Sequence, residues 1–107
     1  MEKHILSKPI TFDGKQITEV NLDLDGLSVA DLEKAERITR SLLKKRETAG
    51  VIELNKKYQI NIAALASGIP YDAFRMMSAK DYTQIGLLVQ NFLLGGDSWE
   101  DESETED

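Results

Sequence analysis

Asp13-Gly14 sits between two short runs of alternating apolar residues, and no other feature of the chain constrains its fold as much. Both residues accept the positive φ that tight hairpin turns demand, so Asp-Gly between β-prone segments predicts a β-hairpin. Leu6, Ile10 and Phe12 share one parity before the turn, and Val20, Leu22 and Leu24 share one after it, so each strand has a core-facing side. A two-residue loop would set these apolar sets on opposite faces, whereas a three-residue loop would bring them together; the odd loop is therefore expected. Pro9 has no amide hydrogen to donate, which places the first strand at an edge with that position facing outward.

Asp25-Gly26 ends the second strand, and the periodicity then changes from two to between three and four. Ser28-Val-Ala-Asp31 has capping-box spacing and opens a helix whose buried stripe is Leu32, Ala35, Ile38, Thr39, Leu42 and Leu43. Glu33 with Arg37 and Glu36 with Arg40 are favourable i,i+4 pairs on its wet side, and Gly50 marks its end. Val51, Leu54, Tyr58, Ile62, Leu65 and Ile69 predict a second helix from Val51 that Gly68 terminates. Pro70 suits the first position of a short third helix, Tyr71 to Met77, where its missing amide would be unpaired anyway. Ser78-Ala-Lys-Asp81 is a second capping box and opens a last helix through Leu94, closed by Gly95-Gly96. The fold class is α+β, an N-terminal hairpin followed by about four helices packed as a small bundle.

A chain of 107 residues is one small domain, assigned to residues 1–96. Its net charge of −6 is unevenly spread. Residues 97–107 hold seven acidic groups and no basic one, which leaves 13 basic against 12 acidic groups, or +1, for the rest. So charged and so poor in apolar residues, this acidic tail cannot offset its own ordering entropy and is expected to be disordered. There is no cysteine. The opening residues lack the apolar stretch of a signal peptide, and no later segment is long enough to span a bilayer, so a soluble intracellular protein without membrane contact is expected.

Catalysis has little to work with, since His4 is the only histidine and no thiol or Gly-rich phosphate loop is present. The tail acids lack the glycine and terminal glutamate spacing of a calcium loop. A non-enzyme without metal or cofactor is expected. The segment Ile62 to Met77 has the small residue, turn glycine and apolar positions of a helix-turn-helix, but its second helix offers one cation, Arg75, beside Asp72. Simple corner packing is the plainer reading, and no nucleic-acid partner is expected. Arg37, Arg40, Lys44, Lys45, Arg46, Lys56 and Lys57 gather seven of the thirteen basic residues into the middle of the chain, a solvated face over which the acidic tail could fold until displaced.

In the last helix Tyr82, Ile85, Leu88, Val89 and Phe92 make one buried side, and Leu87, Leu93 and Leu94 lie partly outside it. Either this helix is central and packed on several sides, or the surplus is a docking surface. Trp99, alone among the tail acids, has a similar choice between docking on the domain, anchoring a partner and doing neither. Leu87, Phe92, Leu93, Leu94 and Trp99 are therefore the candidate partner-binding residues.

The stretch Leu6-Ser-Lys-Pro-Ile-Thr-Phe-Asp-Gly-Lys-Gln-Ile-Thr-Glu-Val-Asn-Leu22 resembles the opening hairpin of the small tail assembly chaperones of long-tailed bacteriophages, the Mu-like group among them. Asp31-Leu32 sits where such proteins place an Asp at the start of the first helix. Ala64-Leu-Ala-Ser-Gly-Ile-Pro70, Met77-Ser-Ala-Lys-Asp-Tyr82 and Val89-Gln-Asn-Phe-Leu93 look like their closing helix pair. Family members often carry an arginine and a proline between the second strand and the first helix, whereas this chain has Asp25-Gly26-Leu27. The resemblance implies a helper, absent from the mature virion, that works in the cytoplasm of the bacterial host. It would bind the long helical tape measure protein and keep it soluble while the tail tube polymerises. The tail-tube protein and further copies of this chain are additional candidate partners. A small helix-turn-helix DNA-binding regulator and a minor structural tail protein are the alternatives.

Overall fold

The computed structural model describes residues 1–43 and 50–95. Two strands, β1 (Glu2–Phe12) and β2 (Lys15–Leu22), form an antiparallel hairpin. Helices α1 (Val29–Leu42), α2 (Lys56–Ser67), α3 (Tyr71–Phe74) and α4 (Ala79–Leu94) follow, with a single 3-10 turn at Ile52–Leu54 ahead of α2. The expected α+β class of hairpin and four helices is the observed one. The acidic tail, Trp99 within it, and Lys44, Lys45 and Arg46 of the basic group lie outside the described residues.

The hairpin corrects the loop expectation. Phe12 pairs with Lys15 across a two-residue turn in which Asp13 has φ 52° and Gly14 φ 80°. Two positive φ values in succession make the type I′ geometry whose twist matches that of the strands. The parity conflict is settled further along β1. Ile10 pairs with Ile17 but Ile5 pairs with Glu19, so residues 6–9 stand opposite Thr18 alone. Three extra residues, an odd number, change the cross-strand pairing from even with odd, as at Ile10 and Ile17, to even with even, as at His4 and Val20. Leu6 and Ile10 on one strand and Val20, Leu22 and Leu24 on the other then enter one buried cluster. Pro9 lies exposed within the bulge, at an edge of the two-stranded sheet as its missing amide requires.

The central element is α2, not α4. Tyr58 through Ala63 are buried without interruption, because α1, α4, α3 and β2 all pack around this helix. Burial on all sides needs no apolar stripe, and two polar residues inside it are satisfied by neighbours. Asn61 Nδ2 donates to Thr39 Oγ1 at 3.0 Å, and that hydroxyl donates to Ala35 O at 2.7 Å, tying α2 to α1. Gln59 Nε2 donates to Glu53 O at 3.0 Å and to Gln90 Oε1 at 2.9 Å, tying α2 to the 3-10 turn and to α4. A Cβ on buried Gly86 would stand 2.9 Å from Gln59 Oε1, so the glycine sets how closely α4 crosses α2.

Three helix boundaries differ from expectation. Asn55 accepts from the Tyr58 amide at 3.1 Å and starts α2 at Lys56, so Leu54 belongs to the preceding turn, Val51 stands just ahead of it, and both face solvent. α1 stops at Leu42, ahead of Gly50, and Leu42 is exposed. α3 closes after one turn at Phe74, with Pro70 as its N-cap and not its first residue. Gly68 and Gly95 do terminate α2 and α4, each in the left-handed conformation, and Glu36 with Arg40 forms the expected pair at 3.1 Å.

Candidate functional site

Four of the five candidate residues lie on α4, and the position of that helix is fixed from its N-terminus. Ser78 caps the helix by accepting from the Asp81 amide at 3.2 Å. Ser28 does the same for Asp31 in α1, where the Asp31 carboxylate completes the reciprocal box by accepting from the Ser28 amide at 2.9 Å. Asp81 uses its carboxylate differently. Fully buried, it accepts from the Ser78 hydroxyl at 2.9 Å and turns its remaining capacity to the β1 bulge. The Ser7 amide lies 2.9 and 3.1 Å from its two oxygens, the Lys8 amide 3.3 Å, the Ser7 hydroxyl 3.0 Å and His4 Nε2 3.0 Å. An ionised carboxylate cannot donate, so Nε2 is the His4 nitrogen that carries hydrogen. The bulge leaves amides without a strand partner, and Asp81 supplies the acceptor. Burial alone would raise the Asp81 carboxyl; the bonds from the Ser7 amide, His4 and the Ser78 and Ser7 hydroxyls outweigh it and hold the group well below the usual carboxylate range.

With its N-terminus held in this way, α4 buries Ile85, Gly86 and Val89 and leaves the opposite side open. Leu87 is 49% exposed and Leu94 45% exposed. Seven residues apart, they lie on the same side of the helix about two turns from one another. Beside Leu87, a depression of about 70 Å³ is lined by Leu54, Lys56, Ile60 and Tyr82 among others. Burial, then the nearby Tyr71, pushes the Tyr82 phenol up to about 12, so it stays protonated at neutral pH. Phe92, 39% exposed, faces away from Leu87 and Leu94 into a groove of about 300 Å³ between the C-terminal end of α4 and the hairpin. Leu93 is half-buried and packs on the core.

Of the five candidates, then, Leu87 and Leu94 share one face, Phe92 occupies another, Leu93 belongs to the inner side and Trp99 lies outside the described residues. Sequence reasoning missed Leu54, which adjoins Leu87 across the small depression. Reading Asn55 as a helix N-cap would have put Leu54 in the turn and out of the buried stripe.

A family model described as phage tail assembly chaperone proteins, E, or 41 or 14, matches residues 3–94, from the hairpin to the last residue of α4. The chain belongs to this family. Comparison with curated proteins and with solved structures gave no match. The match takes in every element described above except the first residue of β1 and stops before the acidic tail, so what this tail assembly chaperone shares with its family is the hairpin and the helices. Among its described residues no helix is long and apolar enough to cross a membrane, and no three His, Asp or Glu side chains form a metal-sized group.

Proposed function

We propose that this tail assembly chaperone is a non-enzymatic helper that binds the tape measure protein and keeps it soluble in the host cytoplasm until tail-tube subunits polymerise around it, without entering the virion. The observation that carries this reading is the outer face of α4: Leu87 and Leu94 are about half-exposed although the core beneath them is complete. Such surplus apolar surface on a small domain is what a binding face for an amphipathic helix requires. Covering a half-exposed leucine contributes roughly 1 kcal/mol, so single contacts are weak and reversible. A long client that engages many copies would gain its affinity through avidity.

Leu87→Glu combined with Leu94→Glu tests the reading. The double variant should keep the far-UV dichroism and melting temperature of the parent, while co-expressed tape measure protein moves from the soluble to the insoluble fraction. Retained client solubility with an intact fold would overturn it. The regulator alternative loses support from α3, whose single turn is too short to lie along a major groove and whose Ala73 and Phe74 are buried. An electrophoretic shift on duplex DNA should show no binding at physiological salt, and mass spectrometry of purified particles should find no copies of the chain.

A further inference from the structure

The groove that holds Phe92 is a second surface, separate from the Leu87 and Leu94 face. The buried Leu22 and Leu24 form its floor, and Leu88, Asn91 and the partly exposed Phe92 of α4 form one side. Its charged side chains are Glu2 and Asp25, both exposed, and Met1, which carries the amino group of the chain, lines it beside them, so the carboxylates outnumber the one cation. The sequence around it is one-sided: no lysine or arginine occurs between Gln16 and Glu33, or anywhere after Lys80. Lys3, the nearest basic residue in β1, is engaged by Glu19 at 3.4 Å. The C-terminal end of α4, closed by Gly95, adds the negative pole of the helix to the same rim.

A mixed groove that presents Phe92 beside carboxylates and a helix C-terminus complements an apolar side chain flanked by cations. We propose that this groove takes a basic segment of a partner protein, one in which a leucine, isoleucine, phenylalanine or methionine is followed or preceded within a turn by lysine or arginine. The proposal rests on the chaperone reading for which protein supplies the segment. The groove's preference for such a segment is independent of the Leu87 and Leu94 face.

The test uses the full chain and a fluorescently labelled helical peptide of leucine and lysine, with a leucine and glutamate peptide as its counterpart, in an anisotropy titration at physiological salt. The lysine peptide should bind and the glutamate peptide should not. Glu2→Lys with Asp25→Lys should weaken binding about tenfold and flatten its salt dependence. The near-isosteric pair Glu2→Gln with Asp25→Asn should give an intermediate loss. Glu33→Lys with Asp72→Lys makes the same change in net charge at exposed sites elsewhere and should alter affinity less than about twofold. Equal losses in the two lysine pairs would assign binding to bulk charge or to the tail and overturn the proposal. So would self-association of the free protein that the Glu2 and Asp25 changes abolish, since that would give the groove to a second copy. The peptide result does not depend on client solubilisation by Leu87 and Leu94, so either reading can fail alone.

Discussion

Ser28-x-x-Asp31 and Ser78-x-x-Asp81 have the same spelling and spacing, yet one acid finishes a local cap and the other joins two ends of the chain. The sequence makes both helix starts legible, because a serine with an acid three residues on satisfies first-turn amides wherever it occurs. It cannot show that Asp81 is buried, since that depends on a bulge more than seventy residues earlier needing an acceptor. Asp81→Asn keeps the shape but turns one acceptor oxygen into a donor facing other donors. We expect a loss of about 2 to 4 kcal/mol in denaturant unfolding. The acid response follows from the same group. The unfolded carboxyl binds its proton below about pH 4, while the folded one is held lower. Between those limits the unfolded state carries more protons, so stability is full above the ordinary carboxylate range and falls as pH drops. A pH series of melting temperatures should show this acid limb in the parent and a shallower one in Asp81→Asn.

Among the elements, the hairpin shows best where pattern reading succeeds and where it stops. Asp13-Gly14 correctly indicates the turn, and the alternating leucines and isoleucines correctly indicate which side chains enter the core. The conflict between a two-residue turn and the two apolar sets was real. It was resolved by three extra residues in β1 and not by a longer loop, and no local signal separates those devices except Pro9, which marks a place where a ladder amide is dispensable. Parity gives a sharp prediction. Deleting Lys8 leaves an even excess, so Leu6 or Ile10 must turn outward, and the variant should lose cooperative unfolding and aggregate. Lys8→Ala preserves the count and should change stability by less than about 0.5 kcal/mol. For α4, the apolar surplus was legible as a choice between a central helix and a docking face. The structure gives the central place to α2, whose apolar positions offered no hint of burial on all sides.

For the molecule as a whole, one core spans hairpin and helices, and the polar bridges inside it each connect elements distant in sequence. Cooperativity follows. The amides of Ser7 and Lys8 bond to α4 and not to a strand, so in hydrogen exchange they should be as protected as the interior of α4, and Asp81→Asn should expose them first. The same bonds bear on synthesis. The hairpin is translated first, but the acceptor for its bulge is 73 to 77 residues further along. Until that residue has left the ribosome, the Ser7 and Lys8 amides are held only by water, and Leu6 and Ile10 have no helix to lie against. The chain therefore completes its earliest element with one of its latest. A nascent chain halted before position 81 lacks the acceptor for its bulge, so the hairpin is finished only when α4 is in place.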